Sequence, residues 1–285
     1  MFDIQKHVED INNNGFTIIK NGIDIDLINK IIKEFDEWGS ITSNNFTKFN
    51  FDRVTNFHVN SKNTLDLVTN KYVDEILTFL FKKKQTIYSS LFFREGTSQH
   101  YHRDTPHFFT NPIDQYYGVW YSLEDINIKS GPLKYYIGSH KLDNINGYEI
   151  FNDIYKDNKD NIDLNSDFRC IIKYNEKIEN LCRELNLTAV DEKNYINQIN
   201  KGDIIIWHPK LLHGGSDIID KNLTRYSMVT HNIPIDTAVF NAKHFFTTAP
   251  TEEYLTNKNI WKYINHNGVN IVDHGIGPMV QKGYT

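Results

Sequence analysis

The hydrophobic pattern of the chain changes once, after Lys84, and that change limits the fold. Upstream, apolar residues recur at helical spacing. Residues 3–12 predict a helix, and Gly15–Gly22 predicts a short strand ending in an Asn-Gly turn. Asp24 is placed to N-cap a helix carrying Leu27, Ile28, Ile31, Ile32 and Phe35 on one stripe, which reads as core packing. A second long helix is predicted over 64–82, with Leu65, Val68, Val73, Ile76, Leu77 and Leu80 inward; Lys82-Lys83-Lys84 reads as its solvated end. The aromatic stretch Phe46–Val59 reads as a loop that packs or lines a pocket, with packing favoured.

Downstream, short apolar runs separated by turns predict strands over Gln85–Arg94, Tyr116–Leu123, the middle of Gly131–His140 and Gly202–Trp207. Arg225–His231 is expected to be the antiparallel partner of Gly202–Trp207. Residues 141–200 are polar and carry one expected helix near 174–186, with Ile178, Leu181, Cys182 and Leu185 on one face. Helices followed by many short strands imply a mainly β fold with flanking helices, a sandwich or jelly roll whose mouth is a natural ligand site. With 285 residues, one domain is expected. Its parts would be an N-terminal helical buttress (1–84), a core (85–232) with a 141–200 insert able to act as a lid, and an extension (233–285). That extension is open to three roles: covering the mouth, packing, or a homo-oligomer contact.

Within the strand region lies His102-x-Asp104. On an extended strand, residues i and i+2 share a face, so imidazole and carboxylate can reach one metal ion. If His213 joins them, two imidazoles and one carboxylate result, a set that leaves positions open and suits non-haem Fe(II) used with oxygen. His100 offers an alternative register, but Asp104 supplies the carboxylate. His107 reads as a lining or surface residue, His208 as structural or near the mouth, and His140 as a turn residue bonding locally. Asp203, in a turn after Gly202, reads as a partner for backbone donors.

Bulk properties narrow the class. The net charge of −5 gives no general attraction to nucleic acid or membrane. Cys170 and Cys182 form neither a disulfide framework nor a zinc motif, which fits a reducing compartment. The segment Met1–Lys6 lacks a basic region followed by an apolar run, and no apolar run is long enough to span a membrane, so a cytoplasmic location is expected.

Several landmarks occur in an order that resembles the phytanoyl-CoA dioxygenase family. Gly15–Gly22 resembles its N-terminal signature, Gln99-x-x-His102-x-Asp104 its metal motif, and Trp120–Leu123 its tryptophan-bearing strand. Gly131-Pro132-Leu133 with Gly138-Ser139-His140-Lys141 resembles a further segment, in which Ile137 replaces the usual proline. Gly202-Asp203, His213-Gly214 and Arg225 complete the series, over about residues 10–232. The resemblance implies a double-stranded β-helix, a jelly roll of cupin type, with His102, Asp104 and His213 holding Fe(II). It further implies 2-oxoglutarate as co-substrate with O2, its distal carboxylate paired with Arg225. Ser227, on the same face as Arg225, is expected to donate a hydrogen bond there, and Arg94, Trp120 and Gln99 to neighbour the site. The implied reaction releases succinate and CO2 and hydroxylates an unactivated C–H bond of a small metabolite or biosynthetic intermediate. Because Asp104 is retained, hydroxylation is expected over halogenation, with desaturation, ring closure and epimerisation left open from the same centre. Without an obvious basic cluster near the motifs, a small free substrate is expected over an acyl-CoA. Phe46–Val59, His107-Phe108-Phe109 and 141–200 would face it. A cupin-like metal enzyme without 2-oxoglutarate is argued against by Arg225 and Ser227, and a silent binding protein by the intact triad.

Overall fold

The computed structural model describes residues 2–41, 53–156, 167–191, 198–247 and 261–281. Its centre is a nine-stranded sheet. In chain order the strands of the fold are β1 (Phe16–Ile19), β2 (Arg53–Thr55), β3 (Gln85–Phe93), β4 (Phe109–Asn111), β5 (Tyr117–Ser122), β6 (Leu133–Tyr136) and β7 (Ala189–Val190). These are followed by β8 (Ile204–Trp207), β9 (His213–Gly215), β10 (Ser227–Pro234), β11 (Ala238–Phe240), β12 (Tyr263–His266), β13 (Val269–Val272) and β14 (Met279–Gln281). The main sheet runs β1-β8-β5-β10-β3-β13-β12, with β2 joining β3 to β14. A smaller sheet, β7-β6-β9, faces it, and β4 pairs with β11.

Alternation along the strands decides what each face covers. In β8, Ile204 and Ile206 enter the core beneath the helices, while Ile205 and Trp207 enter the layer between the two sheets. Val119 and Tyr121 against Trp120 in β5 divide in the same way, as do Met228 and Val229 in β10. The sheet is therefore apolar on both faces. Helices α1 (Ile4–Asn14), α2 (Ile25–Ser40), α3 (Lys62–Val68) and α4 (Lys71–Phe81) cover the outer face. Helices α5 (Gly147–Ile154), α6 (Arg169–Glu184) and α7 (Ala242–Thr247) form a second apolar cluster, which includes Tyr136 of β6 and Leu212. This is the expected jelly roll with flanking helices.

Asp24 caps α2 as predicted, its carboxylate accepting from the Asp26 and Leu27 N–H groups. Three expectations need correction. The helix predicted over 64–82 is two helices. Asn70 turns its side chain back to the Tyr72 and Val73 N–H groups and starts α4 afresh, the competition with helical bonding that makes Asn a cap. The strands β8 and β10 do not pair, because β5 lies between them and bonds to both. His140 does not bond locally: its Nε2 lies 3.0 Å from the carbonyl of Asn12, tying the turn to α1. Asp203 behaves as expected, accepting from the Asn21 and Asn200 N–H groups, and it also pairs with Lys20. The first 84 residues contribute β1 and β2 as well as helices, and the described part of the tail adds β12–β14 to the sheet.

Candidate metal centre

His213 is the first residue of β9, and His102 lies opposite it in a single antiparallel bridge. Each donates its backbone N–H to the other's carbonyl, at 2.8 and 3.0 Å. Gly214 permits this approach, since a Cβ there would lie 2.6 Å from the Gln99 carbonyl and 2.8 Å from that of His100. Two residues on, Asp104 brings a carboxylate oxygen to the same centre as His102. The chain then turns sharply, the Asp104 carbonyl accepting from the N–H groups of both His107 and Phe108 at 2.9 Å. Arg103, between the ligands, points the other way and is fully buried. Its guanidinium donates to the carbonyls of Ser139, Leu142 and Asp143 and to Asn144 Oδ1. It locks the ligand loop to the turn before α5.

One donor atom from each of His102, Asp104 and His213 lies within 4.8 Å of the others. Both histidines are oriented alike. His102 Nδ1 is 3.0 Å from the His100 carbonyl and His213 Nδ1 is 2.9 Å from that of Leu211. A carbonyl only accepts, so each Nδ1 carries the proton and each Nε2 presents a lone pair to the centre. Asp104 Oδ1 lies 3.9 Å from His102 Nε2, and Oδ2 lies 3.8 Å from His213 Nε2. The Trp207 indole N–H donates to Asp104 Oδ2 at 2.8 Å, the kind of outer contact that orients a metal-binding carboxylate. Gly118 makes room for that indole, which would collide with a Cβ at this position.

Burial holds the His102 imidazole down to about 3, with His213 lowering it further and Asp104 opposing. For Asp104, burial alone would raise the carboxyl, but His213, His102, His231 and the Trp207 bond outweigh it and hold it below the usual range. Neutral imidazoles and an ionised carboxylate are the donor states a divalent cation needs. The donor set therefore fits Fe(II) with positions left open.

The three ligands line a cavity of about 660 Å3. Gln99, Trp120 and Arg225 share its wall. Arg225 is buried, with Nη1 donating to the Gly131 carbonyl at 2.7 Å and its backbone N–H to the Arg94 carbonyl at 2.7 Å. Gln99 Nε2 lies 3.4 Å from His102 Nε2. Two predicted neighbours are not brought into the wall. Ser227 is buried in the ladder between Phe93 and Ser122. Arg94 turns its side chain to Glu95 and to Tyr226 of the helix-covered core. Alternation explains Arg94, since the inward-facing residues of that strand are Leu91 and Phe93.

Several lining residues lay outside the motif argument: Arg53 and Thr55 from β2, His231 from β10, Phe168 and Ile171 from the start of α6, and His274 from the tail. The described part of Phe46–Val59 divides between the two expected roles, packing and lining. Val54 and Phe57 are core, but Arg53, Thr55 and Asn56 are wall, while 46–52 lie outside the described residues. Of the other histidines, His107 lines the cavity, and His208 stacks near His140 and Tyr117 away from it. Within the substrate-facing stretch Phe46–Val59, only alternation along the three-residue β2 could have singled out Arg53.

A family model described as phytanoyl-CoA dioxygenase (PhyH) matches residues 11–219. The chain belongs to this family. It is an iron- and 2-oxoglutarate-dependent oxygenase, with the triad in place for the metal. No curated protein matches its sequence. Among solved structures, it is similar in fold to the non-heme alpha ketoglutarate dependent carbocyclase SnoK from nogalamycin biosynthesis, with TM-score 0.59, 14% identity, and coverage of 82% of this chain and 85% of that one. The epimerase SnoN of the same biosynthesis gives TM-score 0.60 and 12% identity over 94% of this chain and 97% of its own. EctD from S. alaskensis, with bound Fe, gives TM-score 0.60 and 13% identity over 83% of this chain and 79% of its own. Among the described residues of this oxygenase, no helix is long and apolar enough to cross a membrane.

Proposed function

We propose that this oxygenase hydroxylates an unactivated C–H bond of a small metabolite or biosynthetic intermediate while 2-oxoglutarate becomes succinate and CO2. The observation that carries this is the convergence of His102, Asp104, His213 and the buried Arg225 on one cavity. Bound iron with the oxo acid and O2 would supply the oxidising chemistry. The residues of the chain bind, orient and exclude water. In His102 and His213 the Nδ1–H is held by a carbonyl, which fixes the tautomer whose Nε2 faces the centre. Asp104 stays ionised and is aimed by Trp207. Arg225 supplies a planar fork for the distal carboxylate, which a lysine would meet only as a point charge. Gln99 and Trp120 border the same space. Asp104 occupies the carboxylate position in full, which favours hydroxylation over transfer of another ligand. The similarity to enzymes named as a carbocyclase and an epimerase makes product analysis part of the test. The free, buried thiols of Cys170 and Cys182 support a cytoplasmic setting.

The experiment is succinate release from 2-oxoglutarate with Fe(II) and ascorbate in air, for the native chain, His102→Ala and Arg225→Ala. Release is expected from the native chain, none from His102→Ala, and release only at far higher co-substrate from Arg225→Ala. Release equal in all three would end the proposal.

A further inference from the structure

The two sides of β3 carry different chemistry into the cavity. β10 flanks it on one side, with Arg225 just before the strand; β2 flanks it on the other and brings in Arg53. Within β2, Arg53 and Thr55 face the cavity, and Val54 between them is buried in the helix-covered core. Arg53 is held in place: its Nε donates to Gln281 Oε1 at 3.1 Å, across the pairing of β2 with β14. Its charge lies close enough to His107 and His231 to add to the lowering that burial imposes on both imidazoles. The same wall carries further polar groups. His231 Nδ1 is 2.7 Å from Ser89 Oγ, and His274 directs Nε2 to the Tyr88 carbonyl at 2.6 Å.

Among the described residues of the cavity wall, Asp104 is the only carboxylate, and it is committed to the triad and to Trp207. An ammonium group would meet, among the described residues of the wall, no carboxylate but Asp104, and an unpaired buried charge is strongly disfavoured. A substrate bearing a carboxylate or phosphate meets a guanidinium with the fork geometry for it, beside hydroxyl and imidazole groups.

We propose that Arg53 is a specificity-determining residue that binds the carboxylate or phosphate group of an anionic substrate beside His107 and His231. This rests on the oxygenase function proposed above, and it goes beyond it by naming the substrate's charge and the residue that selects it. The substrate is oriented by its anionic group so that a C–H bond faces the metal ligands. Arg225 remains with the co-substrate.

The test uses the protein loaded anaerobically with Fe(II) and 2-oxoglutarate, so that Arg225 is occupied. Inorganic phosphate, butanoate and butylammonium are titrated in turn, and tryptophan fluorescence is followed because Trp120 and Trp207 line the cavity. Saturable binding of phosphate or butanoate is expected, and none of butylammonium; the tighter anion identifies the substrate's group. Arg53→Gln is expected to weaken that anion at least about tenfold, since a charge-assisted fork is lost. Arg53→Lys is expected to weaken it by less, and both variants to bind 2-oxoglutarate as the native chain does. Equal anion affinity in the native chain and Arg53→Gln would overturn the proposal, as would butylammonium binding as well as the anions. Thermal melting checks folding; should Arg53→Gln not fold, Arg53→Lys decides, and an anion affinity there unchanged from native overturns the proposal. Failure of the oxygenase function reads differently. Fe(II)-loaded protein would then not bind 2-oxoglutarate, while the anion titration repeated without it still reports on Arg53.

Discussion

At the metal end of the cavity, two short segments hold every ligand, and backbone pairing fixes them: His102 and His213 exchange both of their backbone hydrogen bonds. At the substrate end, the wall is assembled from β2, β10, the start of α6 and the tail, segments drawn from most of the chain's length. These segments are laddered too, β2 to β3 and β14 and β10 to β3 and β5, but the wall side chains come from distant strands and bond across them, as Arg53 does to Gln281 and His274 to the Tyr88 carbonyl. The difference follows from what each end must do. Metal ligation tolerates little error in donor position, so the donors ride on a ladder and on a loop clamped by Arg103. A substrate wall sets size and charge, which side chains on independent segments can vary without disturbing the ligands.

This contrast can be broken experimentally. Asp104→Ala removes the only carboxylate ligand and is expected to abolish succinate release and iron retention, read by iron content after desalting. Retained iron and turnover would show that the ladder does not define the metal end. Next in size, Arg225→Lys keeps the charge but loses the fork, and the KM for 2-oxoglutarate is expected to rise roughly 10- to 100-fold, the equivalent of about 1.5–3 kcal/mol for a charged hydrogen bond. Steady-state kinetics with the co-substrate varied would measure it. Trp207→Phe leaves Asp104 ionised but unaimed. Iron affinity is expected to fall about 10- to 100-fold, with the fold intact by circular dichroism; an unchanged affinity would mean the indole only packs.

The pH response sharpens the comparison on the protein's stability. Burial holds His58 and His208 down at about 3 and His231 at about 4. An unfolded histidine titrates near ~6.5. Below that value the unfolded chain takes up protons that the folded chain refuses, so stability falls as pH drops toward the folded values. Each such histidine contributes up to about 1.4 kcal/mol per pH unit. Urea midpoints of the metal-free protein are expected to be flat above about pH 7 and to decline from there to pH 5. A flat profile throughout would mean these imidazoles are reached by water. The smallest effect belongs to the tail: Gln281→Ala removes one side-chain bond to Arg53 and is expected to cost about 1 kcal/mol or less in unfolding, with iron affinity unchanged. A loss of iron there would show that the two ends are coupled.

Much of the metal end was legible because its determinants are local. The i, i+2 spacing of His102 and Asp104 sets their common side, and Gly214 beside His213 marks a close backbone approach. Arg225 was legible through the family's order of motifs. Arg94 was not, because spacing on a strand tells which residues share a face but not which face meets the cavity; Ser227 does lie on the face of Arg225, Val229 and His231, and is buried there. The pairing of β8 failed for a related reason: apolar runs identify strands, and neighbours along the chain need not be neighbours in a jelly roll. The break between α3 and α4 was within reach, since Thr69 and Asn70 carry the capping chemistry, but the apolar stripe on both sides masked it.

The sequence by itself determined the class of fold and singled out His102, Asp104 and His213 as candidate metal donors and Arg225 as the cation proposed for the co-substrate. Hydrophobic period and short-range spacing are properties of a segment and survive without knowledge of its neighbours. Only the tertiary structure decided that Arg53, His231 and His274 meet around one cavity, and that Asp104 is the only carboxylate among the described residues of its wall. Those facts depend on strand order and on where the tail returns to the sheet, and contacts between residues some two hundred positions apart leave no periodic trace in either segment.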